Sequence, residues 1–135
     1  MRRFNLELPE SGLLTSLADM NFEIIQNHEN GYSVAMLSEA SKIKDASDFL
    51  DFMANADADV LALSKASLPS DFFELKSGVA GEFLQKLTNY HRKLIVLGDF
   101  KSIESNSLKS FIIEYNRNGR TAFSESIEEA MELLR

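Results

Sequence analysis

Hydrophobic and polar positions change period several times along the chain, and the changes mark its elements. Residues 21–26 and 32–37 each carry β-branched or aromatic side chains on either side of Asn30 and Gly31, the pattern of a hairpin. From Asp45 the period lengthens: Ala46, Phe49, Leu50 and Met53 fall at i, i+3, i+4 and i+7. Asp45 is placed to cap and Asp48 lies in the first turn, so this segment is predicted to be a helix. Residues 59–63 form a short apolar run of the kind shown by a strand buried on both faces, and residues 93–97, ended by Gly98, read the same way. Between them, after a loop holding Pro69, the stripe Val79, Phe83, Leu87 and Tyr90 predicts a helix starting near Gly78. Leu108, Phe111, Ile112 and Tyr115 form another stripe, with Ser105 or Asn106 as its cap and Gly119 beyond its end. Residues 121–123 suffice only for an edge strand. Ser126 and Glu129 then make the capping box of a last helix with stripe Ile127, Ala130, Met131 and Leu134.

The predicted order is β-β-α-β-α-β-α-β-α. Strands alternating with helices imply right-handed crossovers and a mixed, mainly parallel sheet, to which the opening hairpin adds an antiparallel edge. The expected fold is one α/β domain over residues 21–135, with about four to five helices on the count of periodic stripes. Residues 1–20 form an N-terminal extension of mixed pattern. Phe4, Leu6 and Leu8 alternate like a strand, whereas Leu13, Leu14 and Leu17 suggest a helical turn. So apolar a segment is not expected to hang free; it would cover the hairpin edge of its own chain or of a neighbour, which makes a homodimer a candidate.

Composition narrows the function more than the fold. The 135 residues, 44% hydrophobic and 26% charged, suit a single globular domain. Fourteen Lys and Arg against 21 Asp and Glu leave a net charge of -7, which argues against wrapping nucleic acid or coating an anionic membrane. The charge is uneven. Residues 37–75 carry eight acids against three bases, and residues 76–120 carry eight bases against four acids. The absence of Cys removes disulfides, thiol nucleophiles and thiolate metal sites, and suits a reducing cytoplasm. With only His28 and His91, and no paired spacing between them, neither a metal site nor a cofactor is expected. No apolar run is long enough to span a bilayer, and Glu7, Pro9 and Glu10 break up the stretch after Met1-Arg2-Arg3, so no secretory signal is expected.

Candidate chemistry gathers in a few places. Ser77, Gly78 and Gly81 fall at a helix start after a buried strand, where free N–H groups favour a phosphate or carboxylate. The same residues also serve a capped, tight turn, and their spacing matches neither a P-loop nor a dinucleotide fingerprint. Asp99 follows a strand end, as do Ser64 and Lys65, and open α/β sheets place ligand crevices there. Asp99 equally suits a turn after Gly98. Glu82 lies in the first turn of its helix, but nothing in the sequence sets it within dyad distance of Asp99. Ser77, His91 and Asp99 lack the elbow motif of a hydrolase. Asn116 and Arg117, followed by Asn118-Gly119-Arg120, read as a helix end, with Arg117 as the alternative reader of a carboxylate or phosphate.

The run Asp71-Phe72-Phe73-Glu74-Leu75-Lys76-Ser77-Gly78-Val79-Ala80-Gly81-Glu82-Phe83-Leu84, continuing to Tyr90 and followed by Gly98-Asp99-Phe100, resembles the bacterial domain of unknown function 4180 family. Phe111-Ile112-Ile113-Glu114-Tyr115-Asn116-Arg117 and Glu128-Glu129-Ala130 are similar to it as well, so the likeness covers roughly residues 22 to 134. It implies no activity, substrate or catalytic residue. The order of elements is more distantly similar to the STAS domain of anti-sigma-factor antagonists, which are non-enzymatic regulators. That resemblance implies Ser77 as the position a partner kinase would phosphorylate, although Lys76 departs from the usual neighbour and the preceding loop is long. The expectation from the sequence is a cytoplasmic, non-catalytic binding or regulatory module with a STAS-like topology, acting through a protein partner. Its candidate surface is Ser64, Ser77, Gly78, Gly81, Glu82, Asp99, Asn116 and Arg117. The alternative is a small-molecule or anion binder, or an enzyme, using the crevice near Ser77 and Asp99.

Overall fold

The computed structural model describes residues 20–26 and 31–135. Expectations for residues 1–19 and for the hairpin tip, His28 and Asn30 included, lie outside them. Strands β1 (Phe22–Gln26) and β2 (Ser33–Leu37) pair antiparallel, with Phe22 opposite Leu37 and Gln26 opposite Ser33. Helix α1 (Ala46–Asn55), strand β3 (Val60–Ser64), helix α2 (Val79–Asn89), strand β4 (Lys93–Leu97), helix α3 (Asn106–Arg117), strand β5 (Thr121–Ser124) and helix α4 (Ile127–Leu133) come next in chain order. The sheet runs β1-β2-β3-β4-β5, with β2 to β5 parallel.

Each parallel strand is added beside its predecessor, and right-handed crossovers in one direction put every connecting helix on the same face. The packing agrees. Leu61, Leu63, Leu94 and Val96 share a core with Phe49 and Phe52 of α1, Phe83 and Leu87 of α2, and Leu108 and Ile112 of α3. Phe49 stacks on Phe83 at 4.8 Å between centroids, and Phe72 meets Phe83 edge-on at 5.6 Å, arrangements that aromatic quadrupoles favour. The alternate strand residues Val34, Val60, Ala62, Ile95 and Ala122 face the back of the sheet with Ala130, Met131 and Leu134 from α4 and the chain end. Two buried faces explain why β3 and β4 read as unbroken apolar runs.

Local chemistry sets the element ends. Asp45, Ser105 and Ser126 accept the N–H groups of Asp48, Leu108 and Glu129, so α1, α3 and α4 start at oxygen caps. At the other end of α2, the N–H of Arg92 donates to the Leu87 carbonyl and that of His91 to Thr88, with His91 at φ 57°. This is a Schellman ending in which histidine holds the left-handed position that glycine usually fills. Three features depart from the expectation. β3 begins at Val60, one residue late, and the Asp59 carboxylate just before it accepts the Ser33 N–H and hydroxyl. α4 ends at Leu133, before Leu134 of the expected stripe. The long loop after β3 is filled by three 3-10 turns, Lys65–Ser67, Ser70–Phe73 and Leu75–Ser77.

Candidate functional site

Among the described residues, two regions can be asked to carry function: the rim formed by the carboxyl ends of the strands, and a groove between α2 and α3. Open α/β sheets place ligands beyond the strand carboxyl ends, where successive connections diverge to opposite faces. Here the divergence falls between β4, which leads to α3, and β5, which leads to α4.

That rim is occupied by the protein's own groups. The Gly98 N–H donates to the Ser124 carbonyl at 2.9 Å. A Cβ on Gly98 would stand 2.9 Å from the Lys65 Cβ, so glycine lets the Lys65 stem lie against the strand end. The Lys65 ammonium sits over the rings of Phe73 and Phe100, at 5.7 and 5.4 Å, and lies 3.4 Å from the Asp99 carbonyl. Phe100 packs edge-on against Phe123 at 5.5 Å. Of the two Asp99 carboxylate oxygens, one accepts the Lys101 N–H at 2.9 Å and the other the Ser102 hydroxyl at 2.8 Å. Those two bonds hold its carboxyl below the usual carboxylate range, with the Lys101 N–H the larger influence and the Lys65 charge adding to it. This is a turn-forming aspartate.

The other residues expected from the sequence also bond within their own segments. Ser64 accepts the Ala66 N–H at the end of β3. The Ser77 hydroxyl donates to the Asp71 carbonyl at 2.7 Å and accepts the Val79 N–H at 3.2 Å, stapling the loop to the start of α2. Gly78 takes φ 80°, a conformation that glycine adopts without a steric penalty. Glu82 donates its N–H to the Gly78 carbonyl in the first turn of α2. Asn116 and Arg117 close the carboxyl end of α3. The Asn116 amide clamps β5: its Oδ1 accepts the Phe123 N–H at 2.7 Å and its Nδ2 donates to the Phe123 carbonyl at 3.2 Å. The Arg117 carbonyl accepts from Arg135. Neither Ser77 and Asp99 nor Glu82 and Asp99 are joined by a hydrogen bond. Among the described residues, no group of three His, Asp or Glu side chains is gathered to hold a metal ion.

The groove has a different character. It encloses about 510 Å³ and runs along α2 past Gly81, Leu84, Gln85 and Thr88, with Tyr115 and Asn118 on the α3 side and Arg92, Arg120 and Thr121 at its foot. Polar side chains, among them Gln85, Thr88, Asn118 and Arg120, make up more of its lining than the apolar Leu84 and Leu87, and its volume lies within the range of about 300–1,000 Å³ common for ligand-binding concavities. Arg92 is fixed in place: its guanidinium donates to the Ala56 carbonyl at 2.9 Å and the Met53 carbonyl at 3.1 Å, closing the end of α1. Asn118 holds the turn into β5 by accepting the N–H groups of Arg120 and Thr121. Gly81 is an exposed residue of the groove wall. A Cβ built on it meets nothing within 4 Å.

Sequence reasoning singles out Gly81 but assigns it to a tight turn or an anion, neither of which uses the space beside it. It does not single out Arg92, Tyr115 and Arg120 as groove residues, because no motif links them. Their convergence depends on α2 and α3 lying side by side over β4 and β5.

The family model for the domain of unknown function (DUF4180) matches residues 28–134. The chain belongs to this family. No curated protein and no solved structure matches the chain. The matched span takes in β2 to α4, while residues 1–27 lie outside it. Within that unit no described helix is long and apolar enough to cross a membrane.

Proposed function

We propose that this DUF4180 chain is a non-catalytic binding module of the bacterial cytoplasm that holds a carboxylate-bearing segment of a partner protein in the groove between α2 and α3. The observation that carries the reading is Gly81. Glycine inside a helix costs roughly 0.5–1 kcal/mol relative to alanine. No close neighbour demands it here, since the space beside it is open. A side chain there would fill the groove, so the residue fits a surface kept free for something else.

Two further observations support the partner's chemistry. Arg120 lines the foot of the groove beside Arg92, whose Nη1 and Nη2 already donate to the Ala56 and Met53 carbonyls, and both belong to the stretch of residues 76–120 in which bases outnumber acids. Guanidinium groups match carboxylates in planar, forked geometry. The non-catalytic part of the reading is supported by the rim, where Ser77 and Asp99 are bonded to their own loops rather than to each other. The groove's volume also admits a small anionic molecule, which is the second reading.

Selection of random displayed peptides on the native chain, followed by affinity measurement, tests this. The expected binders carry Asp or Glu among apolar residues and weaken about tenfold or more, ~1.4 kcal/mol, with Gly81→Leu and with Arg120→Glu. Gly81→Leu is expected to keep or raise the thermal midpoint, because leucine is the better helix former and its Cβ meets nothing within 4 Å. Peptides that bind both variants as tightly as the native chain would sink the groove reading. An empty selection combined with saturable binding of citrate or phosphate, lost in Arg120→Glu, would favour the small-anion reading.

A further inference from the structure

The foot of the groove lies on the turn from α3 into β5, and the bonds that make this turn leave donors over. The Asn118 side chain accepts the Arg120 N–H at 2.8 Å and the Thr121 N–H at 3.2 Å. The acceptor of two N–H groups is the amide oxygen, so Asn118 keeps both hydrogens of Nδ2 to give. Neither that Nδ2 nor the Arg120 guanidinium has a hydrogen bond or ion pair among the described residues. Thr121 is the sharper case. It is 3% exposed, yet its hydroxyl is without a partner among the described residues, whereas the hydroxyls of Ser77, Thr88 and Ser105 are all bonded. Leaving a buried hydroxyl unpaired costs free energy, and such groups are rare. Thr121 stands on the same face of β5 as Phe123, two residues on, which packs in the core beneath α2 and α3. Its side chain is therefore directed to the side on which the groove opens, and it lines the groove. No Asp or Glu is among the groove's lining residues.

We propose that Thr121 is the specificity-determining residue of the groove: its hydroxyl, together with the Asn118 Nδ2 and the Arg120 guanidinium, receives the carboxylate of the occupant. The inference rests on the groove reading above and adds which atoms of the chain select the ligand. A carboxylate only accepts, and its two oxygens offer about four lone-pair sites, enough for donors of three kinds. A carboxamide would set its own N–H groups against Nδ2 and the guanidinium, donor against donor, and leave them unpaired. The three groups divide the work. Arg120 is exposed and supplies charge. Thr121 is held by its place in β5, and its N–H is tied to Asn118, so its hydroxyl offers a bond at a fixed point.

Full-length native chain, Thr121→Val and Thr121→Ser are compared for affinity to a selected acidic peptide and to the same peptide with its Asp or Glu replaced by Asn or Gln. Valine has the shape of threonine and suits a strand, so Thr121→Val is expected to keep or raise the thermal midpoint as the unpartnered hydroxyl goes. It is expected to weaken the acidic peptide about tenfold or more, the scale of a hydrogen bond to a charged group, and to leave the amide peptide unchanged. Thr121→Ser, which keeps the hydroxyl, is expected to hold the acidic peptide within about threefold of native. A lowered midpoint in Thr121→Val would show that the hydroxyl serves the fold, and equal weakening of both peptides would show that it does not read the carboxylate; each overturns the proposal. Gly81→Leu tells the two failures apart. Acidic peptides weakened by Gly81→Leu but not by Thr121→Val leave the groove reading standing without this one, and peptides indifferent to both variants remove the two together. If the selection is empty, citrate is the probe: the Thr121 methyl signal of the native chain is expected to shift saturably, with the affinity lost in Thr121→Val, and a signal that does not move overturns the proposal.

Discussion

At the scale of single residues, the side chains that look most chemical in the sequence are engaged in holding the backbone. Asp99 is the clearest case. It follows a strand end, which suits a ligand crevice and a turn alike, and its two oxygens accept the Lys101 N–H and the Ser102 hydroxyl. Both bonds favour the ionised form and place its carboxyl below the usual range. That direction sets the pH dependence. The stabilising contribution of Asp99 is fully present above the unfolded-state value of about 3.9 and is lost as pH falls through the lower folded value. An NMR titration of the Asp99 side-chain carbon should show a midpoint below that of an unstructured aspartate, and Asp99→Asn should flatten the acid limb of a stability–pH curve. A midpoint at or above the ordinary value would remove the turn account and reopen a functional one. His91 makes the same point from the other side. Its left-handed conformation is invisible in the sequence because glycine, the usual marker, is absent there.

At the scale of elements, most of the chain is legible in the sequence because period and caps agree. Asp45, Ser105 and Ser126 are acceptors placed immediately before apolar stripes, and each caps the helix expected of it. β5 is the short edge strand that the sequence predicts, and its burial is what the sequence does not reveal: all four of its residues are buried. An edge strand exposes unpaired N–H and C=O groups, and here Asn116 covers a pair of them from the neighbouring helix. The sequence offers no sign of this, since an asparagine near a helix end reads first as part of the helix stop. The clamp makes a quantitative expectation possible. Asn116→Ala leaves the part-buried N–H and C=O of Phe123 without partners, and unmade buried bonds cost about 1–3 kcal/mol. Urea unfolding should show that loss, with faster amide exchange confined to β5. An unchanged midpoint would mean that water replaces the amide freely and that the burial of β5 owes nothing to Asn116.

At the scale of the whole molecule, two properties emerge that no single element contains. The first is which helices share a face. Periodicity gives the apolar stripe of α1, α2 and α3 separately, but their arrangement on one side is set only by the strand order, and with it comes the groove between α2 and α3. The second is the distribution of charge. The chain carries a net -7, while residues 76–120, which supply most of the groove, have twice as many bases as acids. An acidic segment approaching the groove is therefore attracted by nearby guanidinium groups and repelled by the rest of the molecule. These forces act over different distances, so salt separates them. At 0.01 M ionic strength the screening length is about 30 Å, which leaves the repulsion of the whole chain in force; at 0.15 M it is about 8 Å, and at 1 M about 3 Å. Adding salt should first relieve the long-range repulsion and then weaken the contact at Arg120. Affinity for a selected acidic peptide should accordingly pass through a maximum at intermediate salt, measured by titration from 0.01 to 1 M. Arg120→Glu should abolish the falling limb above that maximum. A steady decline from the lowest salt would show that the basic groove governs association alone, and an affinity that only rises would mean that the bound peptide makes no charge contact there.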